Sequence, residues 1–191
     1  VELQEEAHKC SEAITGLVKS EVDLKTMITH VCGDFVKLAE KGDFEKDFDI
    51  MTSFLTFLHI NDKESLFRQC RSVLKVGGYL VIEDYYKRSD EKFTKEEELV
   101  LRDEVYCNSS TLPTKEEYVK HLRKAGFTDI QFTDMTEDWS VFVKSRYQTY
   151  EASKERQLKV HGEETFKSQL TFFKHVNSLF QNGNGKSATL G

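Results

Sequence analysis

The sequence predicts an α/β fold built on a mostly parallel, doubly wound sheet with helices on both faces. Short apolar runs that suit strands alternate along the chain with longer amphipathic stretches that suit helices. Strands that alternate with helical crossovers form parallel sheets. The 191 residues include a single proline and are 38% hydrophobic, so the chain can bury a real core. We therefore expect a single domain over residues 1–191.

The first half of the chain predicts helix and strand in turn. Residues 3–18 carry apolar side chains at helical spacing, and residues 27–32 are a short run with β propensity. Residues 48–54 are continuously apolar in character, which favours a strand buried on both faces. An amphipathic helix is predicted over residues 61–75, and a third strand over residues 79–86.

Two capping boxes mark helix starts in the second half. Thr94 is followed three residues later by Glu97, and Thr114 by Glu117. In this pattern the two side chains satisfy each other's backbone N–H groups at the first turn. Both boxes lie within residues 85–125, which we expect to form a helical region inserted into the α/β domain.

The end of the chain predicts one more strand and then helices. Residues 127–135 have the pattern of a fourth strand, and residues 139–182 are helical in pattern, with a division near Gly162. The tail 181–191 is rich in Gly, Asn and Ser and predicts a loose end.

Charge and composition argue against several partners. The net charge is −6, whereas nucleic acids and anionic membranes call for a basic surface. No apolar run approaches the roughly 20 residues that span a bilayer. The four cysteines are widely spaced, and no cluster of metal ligands is visible. We therefore expect a cytoplasmic protein with no nucleic acid, membrane or metal partner.

Polar and aromatic residues follow several predicted strands. Ligands of doubly wound sheets bind beyond the carboxyl ends of the strands. That position applies to Glu2, to Asp34 and Phe35, to residues 53–59 and to residues 83–86. The sequence thus predicts that these residues meet at one edge of the sheet.

Two of these places could hold a nucleotide. The Glu2 carboxylate can accept both ribose hydroxyls, although a carboxylate before a helix also suits the helix dipole. Asp34 can accept a hydrogen bond from an exocyclic amine while Phe35 covers a purine face. Asp34 also fits an ordinary Gly-Asp turn.

The remaining places could hold an amine. His59 could take a proton from an amine near neutral pH, although a histidine beside an apolar run is more often a core or capping residue. The tyrosines Tyr85, Tyr86 and Tyr106 could line a pocket for a cationic amine. Asp84 and Glu104 could pair with its charge, or could be ordinary solvated charges.

Four strings together resemble a known family. They are VELQEEAHKCSE, VCGDF, FDIMTSFLTFLHI and LFRQCRSVLKVGGYLVIEDYY, which are similar to the later motifs of class I S-adenosylmethionine-dependent methyltransferases, with their Rossmann-like fold. The resemblance covers at least residues 1–134. The strings EDYY and LPTKEEYVKHLRKAGFTDIQFTDMTEDW are similar to phosphoethanolamine and sarcosine/dimethylglycine N-methyltransferases.

The resemblance implies a set of roles. S-adenosylmethionine would be the cofactor, bound by Glu2, Leu3, Asp34, Phe35, Ser53 and Phe54. His59 would be catalytic, since it matches the histidine of a tyrosine–histidine pair in that family. The acceptor would be bound by His59, Asp84, Tyr85 and Tyr106, under a cap formed by residues 85–125.

Three departures from the family pattern shape the expectation. The glycine-rich first motif is absent, so we expect an N-terminally incomplete version of the fold. Leu55 stands where an aspartate is common, and Glu104 stands where a phosphate-binding arginine is expected. A carboxylate repels phosphate and attracts ammonium, which favours an acceptor without a phosphate.

The predicted function is methyl transfer to the nitrogen of a small amine or amino acid derivative. The alternative is a catalytically inactive, methyltransferase-like subunit that holds a partner. A dinucleotide-binding dehydrogenase fits less well, because the G-x-G-x-x-G turn that it needs is missing.

Overall fold

A computed structural model describes residues 1–21, 27–181 and 190. Helices dominate its element order. In chain order the elements are α1 (Glu5–Glu21), α2 (Phe35–Lys41), β1 (Phe48–Phe54), a single 3₁₀ turn (Phe57–His59), α3 (Lys63–Val73), β2 (Leu74–Glu83), α4 (Lys95–Asp103), α5 (Lys115–Lys124), α6 (Thr136–Ala152) and α7 (Lys154–Gln181).

The sheet in the described residues has two strands, β1 and β2. They run parallel, because Gly78 lies against the carbonyls of Phe48 and Asp49 while the Leu55 N–H, further along, donates to the Glu83 carbonyl at 2.8 Å. Helix α3 connects the two strands, as a parallel pair requires. The α/β class predicted from the sequence is confirmed.

Strand β1 has the predicted bounds but not the predicted burial. Ile50 is 59% exposed and Phe54 is 60% exposed, whereas Ser53 is the buried residue of the strand. The expectation of a strand buried on both faces is therefore wrong. The apolar run signals β propensity, but the described residues include one neighbouring strand and little that covers β1.

Two further predicted strands are wrong. Residues 27–31 are irregular, and Cys32 forms an isolated parallel bridge with Glu2. Residues 127–135 are described throughout and form no strand. Asp129 has a φ of 50°, which interrupts an extended chain in the middle of this run.

The chain divides into two compact units. Unit 1 comprises residues 1–51 and 65–80. Its buried apolar residues are Ala39, Leu66, Phe67, Cys70, Val73 and Leu74. The predicted apolar face of α1 is instead exposed, since Ile14 and Leu17 are 60% and 68% accessible. That residues 1–191 form one domain stays a prediction.

Unit 2 comprises residues 52–64 and 81–191. One cluster of buried residues forms its core: Leu58, Phe93, Leu101, Val105, Cys107, Leu112, Val143, Val176, Leu179, Phe180 and Leu190. Both predicted capping boxes are confirmed, at the starts of α4 and α5. These two helices fall within residues 85–125, the region predicted to be inserted.

The C-terminal helices α6 and α7 pack against each other. They meet at Ser153, and Gly162 breaks α7 with a φ of 81°, so the predicted division near Gly162 is confirmed. Of the predicted loose tail, residues 182–189 and 191 lie outside the described residues. Leu190 is buried and forms an antiparallel bridge with Lys87.

The described residues contain neither a membrane-spanning helix nor a cluster of metal ligands. No helix there is long and apolar enough to cross a membrane. Within the same residues, no group of three or more His, Cys, Asp or Glu side chains could hold a metal ion.

Replacing Gly78 with alanine should destabilise the protein. A Cβ at Gly78 would lie 3.0 Å from the Phe48 carbonyl oxygen and 3.1 Å from that of Asp49. These are backbone atoms of the paired strand, so they cannot move aside cheaply. We expect the free energy of unfolding, measured with urea, to fall by about 1–3 kcal/mol. As a control, Gly16→Ala lies in α1, where the added Cβ would meet nothing within 4 Å besides the neighbouring backbone of its own helix, and this change should stabilise the protein by up to about 1 kcal/mol. Equal effects at the two positions would contradict the close approach of the strands.

Candidate functional site

In unit 1 the structure brings Glu2 beside the segment that leads to Asp34. The Glu2 N–H donates to the Val31 carbonyl, and the Gly33 N–H donates to the Glu2 carbonyl, both at 2.9 Å. One carboxylate oxygen of Glu2 accepts the Gln4 N–H at 2.9 Å. Since a carboxylate offers about four lone-pair positions, this bond leaves capacity for a ligand's hydroxyls. Leu3 follows and is 68% exposed.

Asp34 is the N-cap of α2. Its carboxylate accepts the Lys37 N–H at 3.3 Å and lies 3.4 Å from the Lys37 ammonium. Phe35 is half-buried and packs edge-to-face on Phe44, with the ring centroids 5.5 Å apart. The sequence alternative for Asp34 was an ordinary Gly-Asp turn, and in the structure the residue caps a helix. A carboxylate can cap a helix and accept another hydrogen bond at once.

Ser53 is the unusual residue of unit 2. It is 6% exposed, and the structure gives its Oγ no hydrogen-bond partner among the described residues. A buried hydroxyl without a partner costs about 1–3 kcal/mol, so the position suits a group that a ligand supplies. Phe54, next along β1, is 60% exposed.

A cavity of about 680 Å³ lies wholly within unit 2. Of the four residues that the sequence predicts to bind the acceptor, His59, Tyr85 and Tyr106 line the cavity and Asp84 does not. Its remaining lining residues are Leu55, Leu58, Asp103, Glu104, Val105, Lys167, Ser168, Gln169, Thr171 and Phe172. The volume suits a small molecule.

Strained backbone borders the same cavity. Leu55 has a φ of 48° and Tyr106 has a φ of 56°. Side chains other than glycine adopt this left-handed region rarely, and such residues concentrate at functional sites. Both residues line the cavity, which supports its assignment as the candidate site.

His59 stands at the end of the 3₁₀ turn with a defined orientation. Its Nδ1 lies 3.0 Å from the Tyr106 carbonyl oxygen. A carbonyl oxygen can only accept, so Nδ1 carries the proton and donates. In the neutral ring the lone pair is then on Nε2. The side chain is exposed, so Nε2 can accept a proton from a bound amine.

Glu104 lines the cavity together with a histidine partner. The His175 Nδ1 lies 2.7 Å from a Glu104 carboxylate oxygen, and the two side chains are 35% and 26% exposed. The cavity therefore contains a carboxylate at the position where the family resemblance implies a phosphate-binding arginine. His175 lies in a helix too weakly patterned to single it out from the sequence.

Asp84 is half-buried beside the cavity residues and forms hydrogen bonds within the protein. Its carboxylate accepts the Tyr85 N–H at 2.9 Å and the Tyr118 hydroxyl at 3.4 Å. Burial raises the pKa of Asp84 to about 7, while these hydrogen bonds and the charge of Lys63 lower it in part. Burial also raises the pKa of Tyr85 to about 12, with the Asp84 charge adding to the effect.

Lys63 is a residue that the sequence reasoning missed. It is 4% exposed, and its ammonium donates to the carbonyls of Phe57 at 2.6 Å and Ile60 at 2.5 Å. Burial lowers the pKa of Lys63, and the Asp84 charge opposes that shift. In the sequence Lys63 looks like any lysine in the first turn of an amphipathic helix, and no pattern marks it.

Comparison with known proteins identifies the family. A family model described as a methyltransferase domain matches residues 23–133, more than half of the chain. The chain belongs to the methyltransferase domain family. The resemblance to methyltransferases predicted from the sequence strings is therefore confirmed.

Curated relatives of this methyltransferase chain include phosphoethanolamine N-methyltransferases. The protein from Plasmodium falciparum is 29% identical over 124 residues, which is 64% of this chain and 45% of the relative. The protein from Triticum aestivum is 32% identical over 127 residues, 66% of this chain and 24% of the relative. The chain thus spans less than half the length of these relatives.

Solved structures share the fold of the methyltransferase chain. Phosphoethanolamine N-methyltransferase 2 of Haemonchus contortus, in complex with phosphomonomethylethanolamine and S-adenosylhomocysteine, gives a TM-score of 0.68 at 20% identity. The match covers 83% of this chain and 35% of that one. A sarcosine dimethylglycine methyltransferase structure from Galdieria sulphuraria gives a TM-score of 0.68 at 18% identity. That match covers 85% of this chain and 56% of the Galdieria chain. These likenesses confirm the α/β methyltransferase fold.

Proposed function

We propose that the protein is an S-adenosylmethionine-dependent methyltransferase that methylates the nitrogen of a small amine or amino acid derivative. The observation that carries this proposal is His59 at the cavity, held through Nδ1 so that Nε2 is available to accept a proton. Family membership and the names of the relatives support the reaction type.

The residues present fit the cofactor. The buried, unpartnered Ser53 Oγ suits the polar methionine end, and the Glu2 carboxylate suits ribose hydroxyls. Asp34 would accept the adenine amine, with Phe35 packing on the ring. Leu3 and Phe54, both exposed, would add apolar contact. When bound, S-adenosylmethionine supplies a methyl group activated by a sulfonium sulfur.

His59 would prepare the acceptor. An ammonium nitrogen has no lone pair for attack, so its proton must leave first. Nε2 of His59 can take that proton, and the charge that then forms on the ring is favoured by the Tyr106 carbonyl on Nδ1. The chain's other contribution is orientation, which holds the amine in line for attack.

The cavity lining favours an amine without a phosphate. Glu104 provides a carboxylate, and the rings of Tyr85 and Tyr106 provide faces that attract a cation. We propose that Tyr85 and Tyr106 bind the acceptor under a cap formed by residues 85–125, which contain α4 and α5. Asp84 does not line the cavity, and its part in the proposal is indirect: it lies beside the turn that carries His59. A cytoplasmic location is also part of the proposal.

The direct test is release of S-adenosylhomocysteine from S-adenosylmethionine, measured with ethanolamine, phosphoethanolamine, glycine and sarcosine. We expect turnover with at least one amine and a higher kcat/KM for acceptors without phosphate. A higher kcat/KM for phosphoethanolamine would overturn the acceptor assignment but not the reaction. Saturable S-adenosylhomocysteine binding with no turnover on any amine would favour the alternative, a catalytically inactive binding subunit.

Replacing Ser53 with alanine should separate binding from stability. Because the Ser53 Oγ is buried without a partner, the free energy of unfolding of the free protein should stay unchanged or rise by about 1 kcal/mol. The affinity for S-adenosylhomocysteine should fall about 10-fold, since one ligand hydrogen bond is lost. Calorimetric titration and urea unfolding measure the two effects. Thr52→Ala, at the exposed neighbour on β1, is the control and should leave affinity unchanged. An unchanged affinity of Ser53→Ala would remove Ser53 from the cofactor site.

A further inference from the structure

Buried polar side chains contact the backbone of the turn that carries His59. Residues 57–59 form a single 3₁₀ turn, closed by the Ile60 N–H donating to the Phe57 carbonyl at 3.0 Å. One such turn has little intrinsic stability. The position of His59 therefore depends on what else binds the backbone of this turn.

Lys63 binds two carbonyls of the turn. Its ammonium lies 2.6 Å from the Phe57 oxygen and 2.5 Å from the Ile60 oxygen, one on each side of His59. The lysine is 4% exposed. A buried ammonium that lost these acceptors would be left without solvation, so the two bonds are strongly preferred over an open turn.

Asp84 lies beside the same turn. Its carboxylate accepts the Tyr85 N–H and the Tyr118 hydroxyl, and the nearby Leu58 N–H and Lys63 charge both act to lower its pKa. The thiol of Cys107 adds a contact to the Leu58 carbonyl, with Sγ 3.6 Å from the oxygen. The turn is thus contacted by buried side chains at the carbonyls of Phe57, Leu58 and Ile60. His59, between them, is exposed and lines the cavity.

We propose that Lys63 is a positioning residue that, with Asp84, fixes the turn so that His59 Nδ1 stays on the Tyr106 carbonyl and Nε2 faces the acceptor. Lys63 does not line the cavity and acts only through His59. The inference rests on the proposed function for its effect on rate, but its effect on the His59 ring does not require turnover.

The first test is a double-mutant cycle. Lys63→Met keeps an unbranched side chain and removes the ammonium, and its kcat should fall about 10-fold with KM and S-adenosylhomocysteine affinity within about 2-fold of wild type. In a His59→Ala background the same change should have no further effect on kcat. If Lys63→Met lowered kcat by the same factor in the His59→Ala background as in the wild type, the inference would be overturned, because Lys63 would then act independently of His59. Lys63→Arg, which keeps a donor and the charge, should recover part of the lost rate.

The second test reads the His59 ring directly. The ¹⁵N shifts of the neutral imidazole should show the Nδ1–H tautomer in the wild type and a mixture rich in Nε2–H in Lys63→Met. The control is Lys124→Met, which removes an exposed lysine of the same unit, paired with Glu64 at 2.7 Å and away from the turn, and should leave the tautomer unchanged. An unchanged tautomer in Lys63→Met would overturn the inference.

These readouts separate the two proposals. If the wild type shows no turnover, the proposed function fails while the tautomer still decides the role of Lys63. If Lys63→Met does not fold, Tyr118→Phe removes one donor to Asp84 and keeps both charges. It should lower kcat about 2-fold in the wild-type background and not in His59→Ala. An equal loss in both backgrounds would overturn the inference.

Discussion

Replacing His59 with alanine is expected to lower kcat by about 100-fold or more, the usual contribution of a general base. The orientation of the ring supports this size of effect. Nδ1 is committed to the Tyr106 carbonyl at 3.0 Å, so Nε2 alone is available for the acceptor's proton. Affinity for S-adenosylhomocysteine should change little, because the residues proposed to bind it are others.

The pH dependence provides a sharper reading of the same variant. Raising the pH supplies the amine already deprotonated, so the gap between His59→Ala and wild type should narrow as pH rises. His161→Ala is the matched control, since His161 is exposed on α7 and outside the cavity lining. It should leave kcat and its pH profile unchanged. A gap that stays constant with pH would assign His59 to binding rather than to proton transfer.

Local patterns predicted the helices well because their signals lie within a few residues. The capping boxes at Thr94 and Thr114 each need a partner three residues away, and both are present in the structure. Gly162 breaks α7 through its own φ. Strands depend on partners far away in sequence, and here local pattern failed. Residues 27–32 and 127–135 have strand-like composition but lack a ladder among the described residues.

The residues of the candidate site also divide into those that the sequence could predict and those that it could not. His59, Tyr85 and Tyr106 could be placed together from strand ends and the family strings, and the cavity contains all three. Lys63 could not be found, because its role depends on the path of a turn that folds back onto its side chain. Asp84 was visible as a charge after a strand, but its desolvation and its bond from the Tyr118 hydroxyl belong to tertiary structure.

The stability of the protein should fall as pH rises from about 4 to 7 through Asp84. Burial raises the pKa of Asp84 from 3.8 to about 7. In this window the folded state keeps a proton that the unfolded state has lost, so each pH unit weakens folding by about 1.4 kcal/mol, up to about 4 kcal/mol in total. The contribution is fully present below pH 4 and is lost above pH 7. The asparagine of Asp84→Asn cannot titrate, so this variant should lack the loss of stability between pH 4 and 7.

The measurement is urea unfolding of wild type and Asp84→Asn at several pH values between 4 and 7.5. The difference between them should shrink or reverse as pH rises, and the ¹³C shift of the Asp84 carboxyl should titrate near pH 7. The charged and titratable groups that act on Asp84 are Lys63, Tyr85, Tyr118 and Cys107. Burial keeps the pKa of Tyr85 at about 12 and of Cys107 at about 11, so neither titrates in this window.

Asp103→Asn, at an exposed carboxylate paired with Arg102, is the control and should show no comparable trend. A carboxyl midpoint near 4 would mean that Asp84 stays charged throughout the window. Lys63 and Asp84 would then carry opposite charges beside the His59 turn at every pH measured.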